Sequence, residues 1–98
     1  MRQIRVKELK AGDEIVEYGL GNYLRLIVLE DARHINTNVG GVRSEGWTCT
    51  VKRHDTGTEL PLFEADDCGA YGLELYRFSD YRDAVQRAVD TTVQEMFG

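Results

Sequence analysis

Ninety-eight residues, 42% hydrophobic and 30% charged, make one domain with one modest core. Twelve basic side chains against seventeen acidic ones leave a net charge of −5, which argues against a polycation that coats nucleic acid or an anionic membrane. No apolar run approaches the ~20 residues of a membrane helix, and Met1-Arg2-Gln3-Ile4-Arg5 carries no signal segment, so the expected location is the cytoplasm.

Gln3 to Val6 alternates polar and apolar residues and predicts a short strand. Gly12-Asp13 marks a turn, and Asp13 to Tyr18 a second strand containing Ile15 and Val16. Gly19-Leu20-Gly21-Asn22 is a turn into Tyr23 to Glu30, the strongest strand signal, with Leu24, Leu26 and Val28 on one face. Its apolar density predicts a central strand. Asp31 to Gly46 contains Asn36-Thr37-Asn38 and Gly40-Gly41 and reads as a strand end followed by a long flexible loop.

Trp47, Cys49 and Val51 alternate with threonines and Lys52, which predicts a strand over Gly46 to His54. Asp55-Thr56-Gly57 is a hairpin turn, and Thr58 to Phe63 the returning strand, in which Pro61 predicts an edge position or a bulge. Glu64 to Gly69 reads as a polar loop and Gly72 to Phe78 as the last strand. Ser79 or Asp80 can cap a final helix over residues 79–97. Its stripe runs Tyr81, Ala84, Val85, Ala88, Val89, Thr92, Val93, Met96 and Phe97 at three–four spacing. Asp83 and Arg87, four apart, are placed to pair on its wet face.

The expected class is α+β: a small antiparallel SH3-like β-barrel or strongly bent sheet of five to six strands over residues 3–78, with the amphipathic helix appended. Its expected core is Leu24, Leu26, Val28, Trp47, Val51, Leu60, Val85 and Val89. "IRVKELKAGDEIVEYG" resembles the opening of SH3-like small barrels, and "WTCTVKRHDTGTELPLF" is similar to their Trp-bearing hairpin. With its Gly-Asp turn, "RLIVLE" strand, Asp-Thr-Gly hairpin and arginine richness, the whole chain also resembles small proteins of actinobacterial phages. That resemblance implies the host cytoplasm and transfers no catalytic residue.

No motif supports catalysis. Cys49 and His54 are placed on opposite faces of one strand, so no nucleophile–base pair is expected there. The two cysteines, eighteen residues apart, form neither a disulfide framework nor a zinc motif. His34, Cys49, His54 and Cys68 lack the close spacing of a metal site. Glu64, Asp66 and Asp67 lack the alternating oxygen ligands of a calcium loop, and neither Gly19 to Asn22 nor Gly40-Gly41 continues as a phosphate loop. No metal or cofactor is therefore expected.

Binding to a protein remains. The first half of the chain is charge-balanced and the second carries the whole acidic excess, which suits a basic protein surface better than phosphate. The helix stripe ends on Met96 and Phe97, apolar residues that a frayed terminus does not carry unless something covers them. Val89, Val93, Met96 and Phe97 are the expected contact residues, with a homodimer through the helix as the sharpest form. The runner-up is nucleic-acid contact through Arg2, Arg5, Lys7 and Lys10.

Overall fold

A computed structural model describes residues 1–69 and 72–97, apart from the side chains of Val39 and Phe97. Among the described residues, seven antiparallel strands and a C-terminal helix make an α+β fold. The strands are β1 (Gln3–Ile4), β2 (Glu14–Gly19), β3 (Asn22–Val28), β4 (Arg33–Val39), β5 (Val42–Arg53), β6 (Glu59–Ala65) and β7 (Leu75–Arg77); the helix is α1 (Phe78–Phe97).

The sheet order is β1-β7-β2-β3-β5-β4, and β6 lies along the other edge of β5. β5 organises the sheet because it is twelve residues long. Its C-terminal part pairs with β3 (Val28 opposite Val51) and its N-terminal part with β4 (Trp47 opposite His34). β6 covers the middle, with Cys49 opposite Leu62. Among the described residues β6 pairs only with β5, so the sheet does not close into a barrel. This edge position accommodates Pro61, which has no N–H to donate.

The expected long loop over Asp31 to Gly46 is instead the β4–β5 hairpin. Gly40 and Gly41, at φ 60° and 81°, form the two-residue turn whose twist matches paired strands. The first strand is also shorter than expected. After Ile4 the chain enters a single 3-10 turn, Val6–Glu8, closed by Glu8, whose carboxylate accepts the Arg5 N–H at 2.7 Å.

The core comprises Ile4, Val6, Leu9, Ile15, Leu26, Val28, Cys49, Val51, Leu62 and Leu75, flanked by half-buried Leu24, Trp47 and Leu60. Six of the eight expected core positions thus lie in or against it. Val85 and Val89 do not: they are about half exposed. The correction follows from sheet geometry. In register, Val16 lies beside Arg25 and Tyr76, on the face opposite to Ile15 and Leu26. The helix begins on that outer face, not over the core. It touches β2 and β7 near its start and then leaves the sheet. Twenty helical residues span about 30 Å, so the molecule measures 61 × 28 × 21 Å. Its radius of gyration of 16.2 Å exceeds the roughly 13 Å of a compact chain this long.

Candidate functional site

Where β6 runs past the 3-10 turn without backbone pairing, one carboxylate joins the segments. Glu64 is 8% exposed, within a strand rather than in the expected solvated loop. It accepts the N–H of Val6 at 3.3 Å and of Leu73 at 2.9 Å, and Arg5 Nη1 lies 3.5 Å away. A carboxylate can leave water only when its lone pairs are filled in this way. Arg5 also donates from Nη2 to the Gly69 carbonyl at 2.6 Å and lies 3.9 Å from Cys68 Sγ. A Cβ at Gly72 would press on the side-chain ends of Arg5, Glu64 and Cys68, which would have to shift to admit it. A cleft of about 190 Å³ opens beside it, lined by Arg5, Lys7, Trp47, Glu64 and Cys68 among others.

This geometry redistributes the basic N-terminus. Arg2 pairs with Glu8 at 3.1 Å, and Arg5 is turned inward to Glu64. Lys7 and Lys10 stay exposed. The Arg5 N–H, then Arg2, hold the Glu8 carboxyl below its ordinary value. Two of the four cations proposed for phosphate contact are thus already engaged by carboxylates of the same chain.

Both cysteines are free thiols. Burial, reinforced by the charge of Glu30, pushes the Cys49 thiol up to about 11. A thiol raised in this way is held in its protonated form at neutral pH. His34, Cys49, His54 and Cys68 do not come together. Among the described residues His34 instead converges with Glu45 and Asp66, all three exposed, with ligand atoms within 4.8 Å of one another. Sequence reading missed this trio because its members come from β4, β5 and the turn after β6, which only the sheet register brings side by side.

The helix is rooted by aromatic rings. Arg25 stacks over Phe78 at 3.9 Å, while its Nη2 donates to Glu14 at 2.6 Å. Tyr81 lies 4.6 Å from Tyr23, which in turn contacts Tyr18 at 4.8 Å. Such ring contacts fix direction as well as burying area. Beyond this root the stripe is uncovered: Val85 is 46% exposed, Val89 50%, Val93 47% and Met96 71%. The Phe97 side chain lies outside the described residues. Val85, Ala88, Val89, Thr92 and Val93 line a shallow groove of about 330 Å³. At 100° per residue, Asp83, Arg87 and Asp90 fall on the opposite side. Asp83 lies 3.7 Å from Arg82 rather than pairing with Arg87 as expected. Among the described residues no helix is long and apolar enough to cross a membrane.

Comparison with protein families, curated proteins and solved structures finds no match to this chain.

Proposed function

We propose that this is a non-catalytic binding protein whose docking element is the projecting helix α1, and that the occupant of the helix stripe is the same stripe of a second copy. The observation that carries the reading is the exposure of Val85, Val89, Val93 and Met96 in one row. Scattered exposed valines need no explanation, whereas a contiguous apolar surface is a contact site.

The shape of the stripe favours a copy of itself. Val85, Val89 and Val93 form a raised row at a spacing of four; Ala84, Ala88 and Thr92 form a shallow row beside it. Two such helices crossing at about −50° seat each valine ridge in the other's shallow row, the commonest helix packing in globular proteins. The charges on the back of the helix stay in water. We read the bent sheet as an SH3-like barrel left open, serving as the mount for this helix. Neither Cys49 nor Glu64 supports a catalytic reading, since burial holds the thiol protonated and internal donors occupy the carboxylate.

Sedimentation equilibrium of the wild type and of Val89→Asp tests this. A concentration-dependent dimer that the variant reduces to monomer is expected, with unchanged circular dichroism. A wild type that stays monomeric at every concentration overturns self-pairing, whether or not the helix captures a foreign protein. A Val89→Asp dimer as tight as the wild type removes the helix from the interface.

A further inference from the structure

The trio on the hairpin arm has a chemistry that the helix reading does not use. His34, Glu45 and Asp66 offer one imidazole nitrogen and two carboxylates from three separate segments. Strand geometry points them to one side. In the β4–β5 register His34 lies opposite Trp47, and Asn36 opposite Glu45, so His34 and Glu45 are diagonal neighbours on one face. Glu64 lies opposite Trp47 on β6, and Asp66 follows two residues later.

The frame that holds them is fixed by backbone and ring contacts. The Asp66 N–H donates to the Glu45 carbonyl at 2.9 Å, which ties the turn to β5. The His34 ring meets Trp47 edge-on, with centroids 5.4 Å apart, and its Nε2 lies 2.7 Å from Asp66 Oδ2. Among the described residues no arginine or lysine comes within ion-pair distance of Glu45 or Asp66. Asp66 and Glu45 also line a cleft of about 330 Å³ with Arg43, Ser44 and Asp67, which leaves room for water.

From this we infer that His34, Glu45 and Asp66 form a binding site for a divalent transition-metal ion. With a neutral imidazole the trio carries two negative charges and matches a dication. One nitrogen and two oxygens suit Zn²⁺ and its borderline neighbours better than Ca²⁺, which takes six to eight oxygens. Ligand–metal distances of about 2.0–2.2 Å require only rotamer adjustments of exposed side chains, with water completing the shell. The ion would insert between His34 Nε2 and Asp66 Oδ2 and fasten β4 to the turn after β6 across β5.

Isothermal titration of the untagged full-length protein with Zn²⁺ tests the assignment, with Co²⁺ absorption as the second readout. One ion per chain is expected, weakened more than tenfold in His34→Ala and in Asp66→Asn and unchanged in His54→Ala. The Co²⁺ spectrum should lack thiolate charge-transfer bands. A wild type that binds no Zn²⁺, a His34→Ala protein that binds as the wild type does, or thiolate bands implicating Cys68 would each overturn the site. Circular dichroism of each variant separates lost ligands from lost folding. The result is independent of self-association, which Val89→Asp reports.

Discussion

The Glu64 corner and the outer turns of α1 invert the usual placement of polar and apolar groups. At the corner a carboxylate is 8% exposed, while on the helix valines are about half exposed. At the corner, among the described residues, Arg5, Val6 and Leu73 supply the donors that meet Glu64. The helix is open: among the described residues nothing covers its stripe beyond Tyr81 and Ala84, and Val85, Val89, Val93 and Met96 stay exposed. A buried charge needs internal partners to exist at all, so it reports on how the fold is held. An exposed apolar row gains only from a partner outside the chain, so it reports on what the protein meets.

Breaking the corner should have the largest effect on folding. Glu64→Leu removes the acceptor for the Val6 and Leu73 N–H groups and leaves Arg5 facing an apolar side chain; the expected loss is about 3 kcal/mol. Urea denaturation measures it, and a loss below about 1 kcal/mol would mean that the corner does not hold β6 to the 3-10 turn.

An exposed apolar residue of a different kind marks the β2–β3 turn. Leu20 is fully exposed and sits at φ 51°, in the left-handed region, beside Gly21 at 79°. It belongs to no stripe, and its conformation costs an L-residue about 1 kcal/mol. Leu20→Asn should recover much of that as raised thermal stability without changing oligomeric state. An unchanged melting temperature would remove backbone strain as the account of this position.

On the helix the expected folding effect is smaller. Val89→Asp should shift the stability of the monomer by no more than about 0.5 kcal/mol, because the position is solvent-facing there. A larger loss, measured at a concentration where the wild type is monomeric, would show that the stripe is covered from within and would erase the contrast with the corner.

The smallest effects concern two carboxylates of opposite sign. Burial raises the Glu17 carboxyl above its ordinary value of 4.5. The folded state therefore holds this proton more tightly, and its stability contribution is lost as pH rises through the raised value. Glu8 is lowered, so its contribution is present above 4.5 and lost as pH falls through the lowered value. Glu17→Gln should thus be a few tenths of a kcal/mol more stable than the wild type at neutral pH, and Glu8→Gln less stable. Denaturation at neutral pH and at pH near 4 separates them; equal shifts in the two variants would contradict the geometry.

Much of the fold was legible locally. Alternation marked β3, β5 and β6, Ile15-Val16 after the Gly12-Asp13 turn marked β2, Pro61 marked an edge or a bulge, and the three–four spacing marked α1. The β4–β5 hairpin carried a usable signal, since Gly40-Gly41 separates two alternating runs by two residues. It was obscured by Asn36-Thr37-Asn38, residues more common in loops, which the exposed arm tolerates because both of its faces meet water. The candidate sites were less legible. Of the expected helix contacts, Val89, Val93 and Met96 are exposed in one row, but nothing in their spacing distinguished a stripe facing a partner from one facing the core.

Strand alternation, the turns and the amphipathic helix are local properties of the chain, because they depend on residues two to four positions apart. The tertiary structure decided which sheet face the helix starts from, that Glu64 meets Arg5 across 59 residues, and that His34, Glu45 and Asp66 converge. Those outcomes depend on sheet register, and hydrophobic periodicity states which side of an element is apolar without stating what will cover it.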